Sequence, residues 1–249
     1  MNPFQKHGIE HLSPSSINTF IAQPAYWIVK YMAKCKDDAG PAAYRGHAVQ
    51  HGLEAYMTGS VSPEESVRKA MQRFTELTAG AADDAHEQER ALSGQITANG
   101  ILQVKGRVMP LSEQKVEIRP EGLEVPIIGY IDWLWGDELW DLKTTKAVPA
   151  KAKIDHLRQM SLYCTVQRVP ATLLYLGRAK AMKYEVTSGE VAHNFGFIVM
   201  AAKRIRNLLD KTDSAEEAAQ LFAPDYEHFM WSDAAIDAGH KLWRTSNAA

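Results

Sequence analysis

Apolar residues recur at helical spacing through the first hundred positions, then switch to strand-like alternation from Gln103 to Lys143. Ser13-Pro14-Ser15-Ser16 predicts a helix start, with Ser13 as N-cap and Pro14 in the first turn. That helix runs to about Phe20 and is interrupted at Pro24, and a second piece carries Tyr26, Trp27, Val29 and Tyr31. Residues 37–41, DDAGP, read as a loop. A helix from about Ala42 to Met57 has Val49, Leu53 and Tyr56 as its core face. Residues 63–80 predict an amphipathic helix and residues 81–100 a more polar one. The runs VKGRV, QKVEIRP, LEVPIIGYIDWLW and ELWDLKT predict strands. Residues 150–168 return to helix before Pro170, TLLYLG and MKYEVT give two more strands, and residues 190–211 form a long helix with a basic last turn. Short helices and loops lead to Trp243. Helices, strands, helix, strands, helix is the order of a mixed α/β fold with an N-terminal helical elaboration. The expected organisation is one domain over residues 1–249: a mainly helical part at 1–100, a core at 101–212 and a tail at 213–249.

Composition narrows the chemistry. The 249 residues are 45% apolar with a formal net charge of −2, so there is enough apolar material for a core and no polybasic arm. Any nucleic-acid contact has to come from a local basic cleft. Cys35 and Cys164 are the two cysteines, too few for a four-thiolate zinc or iron–sulfur site and not a disulfide framework. The opening MNPFQKHGIEHLS is polar, and no apolar run approaches the ~18 residues of a membrane span. These features lead us to expect a cytoplasmic protein with no membrane association.

One stretch stands out: IDWLWGDELWDLKTT, residues 131–145. A two-residue turn at Gly136-Asp137 pairs Trp135 with Glu138, Leu134 with Leu139, Trp133 with Trp140, and Asp132 with Asp141. The two carboxylates then stand opposite on one face, and Lys143 shares that face because side chains alternate. Trp133, Trp135 and Trp140 point to the other side. Opposed like charges destabilise a ladder unless a cation lies between them, and Mg²⁺ takes carboxylate oxygens together with water and substrate phosphate. Lys143 beside it can stabilise charge on a phosphate or help orient and deprotonate an attacking water. The competing reading is a surface hairpin whose aspartates are solvated and screened by Lys143.

Gly129-x-x-Asp132, Asp141-Leu142-Lys143 and Gln159-x-x-x-Tyr163, in that order, resemble the RecB-like and phage-type exonuclease branch of the PD-(D/E)XK nuclease superfamily. Asp-x-Lys alone is weak; the ordered set on strand, strand and helix is specific. SPSSINTFIAQPAYWIVKYM is similar to the family's opening segment, with Gln23 where related iron–sulfur exonucleases carry Cys. YRGHAVQHGLEAYM resembles the helix that supplies a His or Glu metal ligand, and by spacing from Gly46 that position is Gln50. Gln is an uncharged, poorer ligand, which brings in His51 and Glu54 as alternatives on the stripe that also holds His47. AGHKLW resembles the close of phage-type members. The likeness spans about residues 12–243, with residues 60–100 uninformative.

The resemblance implies a restriction-endonuclease-like mixed sheet flanked by helices and a Mg²⁺- or Mn²⁺-dependent deoxyribonuclease without an iron–sulfur cluster. Expected metal contacts are Asp132, Asp141 and the Leu142 carbonyl, with Gln50, His51 or Glu54 from the helix. Lys143, Gln159 and Tyr163 complete the catalytic set. Arg45, Lys146, Arg158, Gln159 and Tyr163 are the expected nucleic-acid contacts, with Lys151 and Lys153 as further basic neighbours; a solvated surface charge is the bland alternative for each cation. The expected activity is exonucleolytic, in recombination, repair or phage DNA metabolism, in a bacterial or phage-infected cytoplasm. A recombinase or single-strand annealing or binding protein is the expected partner class, and a homo-oligomer is compatible. The alternatives are an endonuclease on structured DNA or RNA and a catalytically weakened nucleic-acid-binding scaffold.

Overall fold

The computed structural model describes residues 2–36 and 40–246, with side chains described to residue 243. Residues 37–39 of the expected loop at 37–41 lie outside the described residues, and Pro41 already opens a helix. The chain begins with α1 (Pro3–Lys6), α2 (Pro14–Ala22) and α3 (Pro24–Trp27), the last continuing as a wide turn over Ile28–Met32. Then come α4 (Pro41–Met57), α5 (Pro63–Leu77) and α6 (Asp84–Val104). Strands β1 (Leu111–Ile118), β2 (Ile127–Leu134) and β3 (Leu139–Thr144) precede α7 (Ile154–Gln167). Strands β4 (Ala171–Leu176) and β5 (Ala181–Glu185), then α8 (Ser188–Lys211), α9 (Ala215–Ala219) and α10 (Asp233–Ser246), complete it.

The predicted start of α2 is realised in full: Ser13 accepts from the Ser16 amide, Ser16 reciprocates, and Pro14 follows the cap. Two elements differ from expectation. VKGRV is not a strand. Val104 lies one turn beyond Ile101 and is buried with Ile96 and Ile101, so it completes the apolar face of α6. Gly106, at φ +81, then turns the chain out in the left-handed region. Helix α1 was not anticipated; it is four residues long and rests on an Asn2 cap.

The five strands lie in the order β1-β2-β3-β4-β5. All neighbours are antiparallel except β3 and β4, which are parallel and joined by the α7 crossover. This is a mixed sheet with helices on both faces. One face packs against α2, α7 and α8 through residues such as Ile17, Met160, Leu162 and Ile205. The other packs against α4 and α6 through Trp133, Trp140, Leu142, Val49, Leu53 and Ile96. The sheet therefore presents its third strand, and whatever that strand carries, between two helical layers.

Candidate active site

The hairpin register is as the sequence requires: Trp133 pairs with Trp140, Leu134 with Leu139, and the Trp135 N–H donates to the Glu138 carbonyl at 2.9 Å. The ladder then stops. Asp132 and Asp141 do not form the backbone pair expected of them, because β2 and β3 part at this point. An unbroken ladder would send the Leu142 N–H to the Ile131 carbonyl. It donates instead to Asp132 Oδ2 at 2.7 Å. The free flank of β2 is taken lower down by Leu12, whose N–H donates to Pro126 O and whose carbonyl accepts from the Ile128 N–H. A notch remains between β2 and β3, with the Asp132 carboxylate bridging it. The Leu142 carbonyl projects to the same strand edge as its N–H.

Asp141 is 0% exposed, and its Oδ1 has no hydrogen-bond partner among the described residues. Its Oδ2 lies 2.6 Å from Lys143 Nζ as an ion pair. Burial, and then the neighbouring Asp141 charge, push the Asp132 carboxyl from 3.8 up to about 7, against the pull of Lys143 and the Leu142 N–H; Glu54 adds to the rise. Burial works against the Lys143 ammonium, but Asp141 and Asp132 outweigh it and hold its pKa above the ordinary lysine value. Lys143 is therefore a cation at neutral pH, placed to stabilise charge rather than to remove a proton in this state.

Lys143 also donates to Gln159 Oε1 at 3.0 Å, and Gln159 Nε2 donates to the Tyr163 hydroxyl at 2.7 Å. The i, i+4 spacing on α7 makes that second bond. Tyr163 is 1% exposed, and burial pushes its hydroxyl well above the ordinary tyrosine range. The pair thus forms a strut behind Lys143, and its buried end, Tyr163, offers no exposed surface to a nucleic acid. Gly129 explains the glycine three residues before Asp132: a Cβ there would stand 2.6 Å from Tyr163 Cε1. Only a bare backbone lets the tyrosine ring lie on β2.

On α4, Gln50 Nε2 donates to Glu54 Oε1 at 2.9 Å, and the Trp133 indole donates to the same oxygen at 3.0 Å. Glu54 is the member of this helix whose charge reaches Asp132. Gln50 thus stands as a donor to Glu54. His47 and His51 are exposed and line, with Gln50, Glu54, Arg73, Leu77 and Glu113, an open pocket of about 310 Å³. Glu113 sits in β1 at φ +52, at the register position opposite Asp132, and sequence reasoning gave it no role. Alternation in β1 was its one available signal.

The cations sort differently from expectation. Arg45 is 4% exposed; its guanidinium pairs with Glu89 and reaches Thr144 Oγ1 and the Thr144 carbonyl at 3.4 Å. Lys146 pairs with the other Glu89 oxygen at 2.8 Å. Burial raises the Glu89 pKa, and Lys146 and Arg45 outweigh it to hold the carboxylate ionised. Arg45 is therefore an internal cation that ties α4 and α6 to the end of β3, which corrects its reading as a phosphate contact. Glu89, the partner that decides this, lies in the stretch where the sequence pattern was uninformative. Arg158 differs: it donates to Asn18 Oδ1 at 3.3 Å and its Nε has no partner among the described residues. It lines a cleft of about 520 Å³ that also reaches Lys143, Gln159, His156, Ser15 and Asn18. Burial and the Lys143 charge hold the His156 pKa below its ordinary value, and His156 Nδ1 lies 2.8 Å from the Tyr175 hydroxyl.

Among the described residues no three His, Cys, Asp or Glu side chains form a ready metal cluster. The notch nonetheless fits a hard divalent cation held by two carboxylates and completed by water and substrate. Asp141 is a buried carboxyl group with an orphaned oxygen, and Asp132 is pushed toward neutrality by burial and then by the Asp141 charge. A cation removes both penalties.

A protein-family model described as the PD-(D/E)XK nuclease superfamily matches residues 11–229. No curated protein matches the chain. Among solved structures, one described as "Crystal structure of SSO0001" is 18% identical over 62% of this chain and 84% of that one, with a TM-score of 0.31.

Proposed function

The chain belongs to the PD-(D/E)XK nuclease superfamily, and from that premise we propose that it is a divalent-metal-dependent deoxyribonuclease of the RecB-like, phage-type exonuclease kind. The observation that carries the reading is the buried Asp141 with its unpartnered Oδ1, beside the Lys143 ammonium and across the notch from Asp132.

Asp132, Asp141 and the Leu142 carbonyl would hold the ion, with Glu54 as the contribution of α4. When bound, Mg²⁺ or Mn²⁺ supplies Lewis-acid polarisation and charge neutralisation at the phosphodiester. The protein's own groups do the rest. Asp141 and Gln159 aim the Lys143 ammonium at the position where phosphoryl charge develops. Tyr163 fixes the rotamer of Gln159 from behind. Arg158 lines the adjoining cleft as a charged partner for the backbone of the substrate strand.

The substrate class is DNA, attacked from its ends, in the cytoplasm of a bacterium or phage-infected cell, in concert with a recombinase or single-strand annealing or binding protein. The test is cleavage of linear and circular DNA with Mg²⁺, Mn²⁺ or EDTA. Loss of linear DNA alone, in metal alone, supports an exonuclease. Cutting of closed circles makes the protein an endonuclease, and no cutting under any condition overturns the catalytic reading.

A further inference from the structure

We propose that Phe229 is a stacking platform for an unpaired nucleobase, so that the site receives single-stranded DNA; this rests on the nuclease reading above and specifies its substrate. Phe229 is 89% exposed, the most exposed large apolar side chain among the described residues. It lines the cleft of about 520 Å³ that also contains Lys143 and Gln159. An aromatic ring left in water at the mouth of a reactive cleft offers a flat apolar face to a ligand.

The turn that carries the ring is held in place by its surroundings. Two residues on, Trp231 is buried against Tyr26, Tyr226 and Trp243, with ring centroids 5.3, 4.9 and 6.4 Å away. The Trp231 N–H donates to the His228 carbonyl at 3.0 Å, and the His228 N–H to the Asp225 carbonyl at 3.1 Å. The His228 ring lies 4.5 Å from that of Phe229, tilted by 33°. A pinned turn thus presents an aromatic ring against an imidazole.

The rest of the cleft matches the other half of a nucleotide. Lys143 and Arg158 are its fixed cations, and Arg158 Nε is buried without a partner among the described residues. His156 and His228 are further nitrogen groups, and Asp155 is the one carboxylate, its Oδ1 already accepting from the His156 N–H. Phosphate-binding cations beside an exposed aromatic ring are the two parts of single-strand recognition. Inside a duplex, neighbouring base pairs occupy both faces of each base, so Phe229 meets a free face only on unpaired bases or on a terminal pair. A volume in the range of small-ligand pockets, ~300–1,000 Å³, also suits one strand better than two.

The test uses the full chain in EDTA at low salt with an oligonucleotide carrying 2-aminopurine, either single-stranded or in a blunt duplex. Wild type, Phe229→Ala and Phe229→Trp are compared by anisotropy and by fluorescence quenching, with cleavage in Mn²⁺ run in parallel. We expect the single strand to be quenched by wild type, and Phe229→Ala to weaken single-strand binding by about fivefold or more. Duplex affinity should stay unchanged, and Phe229→Trp should restore both affinity and quenching. Wild type that cleaves while Phe229→Ala binds and quenches equally overturns this proposal alone. Equal losses on duplex and single strand overturn it too, by making the ring a general contact. Wild type that neither binds nor cleaves overturns the nuclease reading and this proposal with it.

Discussion

Replacing Asp132 with Asn removes a charge the metal-free fold resists while keeping the acceptor for the Leu142 N–H. The folded carboxyl lies at about 7 against an ordinary 3.8, raised by burial and by Asp141. An acid raised in this way contributes stability that is complete below about 3.8 and lost as pH rises through about 7. A displacement of this size corresponds to roughly 4 kcal/mol against the ionised form at pH 8. Partial access to water brings the expected gain of Asp132→Asn to roughly 1–3 kcal/mol. At roughly 2–4 °C per kcal/mol for a chain of this length, the variant should melt about 2–12 °C above wild type at pH 8 in EDTA. The difference should shrink toward pH 4.5. Added Mn²⁺ or Mg²⁺ should reverse the order, since a ligand at 100 times its Kd adds about 2.7 kcal/mol to the protein that binds it. Scanning fluorimetry at the two pH values, with and without metal, reads all of this. An Asp132→Asn variant no more stable than wild type at pH 8 refutes the electrostatic argument. Equal metal-induced shifts in both proteins refute the site.

The other predictions concern the supports of the notch. Lys143→Ala should cut turnover by about 10² or more with metal affinity largely retained; metal titration beside single-turnover cleavage separates the two. Glu54→Gln should weaken metal binding, whereas Gln50→Glu should set a second carboxylate against Glu54 and not improve it; calorimetry on both variants decides whether α4 reaches the metal through Glu54. Gly129→Ala should cost about 1–3 kcal/mol by driving a methyl into the Tyr163 ring, read as a fall in melting temperature. Arg45→Ala should cost about 3–5 kcal/mol by leaving Glu89 short of a buried partner, while DNA affinity per folded molecule is unchanged; reduced affinity at full stability would return Arg45 to the DNA.

The hairpin register was legible because turn length and strand alternation fix it locally. Its end was not: β2 and β3 part at Asp132, and the flank of β2 lower down is taken by Leu12, more than a hundred residues away. Gln159 and Tyr163 could be placed on one helix face by spacing alone; that Tyr163 is buried behind Gln159 required Gly129 and the packing of α7 on the sheet. The role of Arg45 could not be read from its neighbours in sequence, since Glu89 arrives from another helix. VKGRV shows the limit of periodicity: a short apolar run at a helix end reads equally well as a strand until its packing partners are known.

The missing rung between β2 and β3 also bears on how such a protein can change over generations. Its place is taken by the side chain of Asp132, so one residue is both a reagent and a stitch in the sheet. A lineage that no longer needed cleavage could drift to Asn without loosening the stitch. Drift to Ala would leave the Leu142 amide without its acceptor and the notch open. Inactive descendants of this fold should therefore favour amide replacements here, and a small apolar residue should be accompanied by a second change that closes the seam.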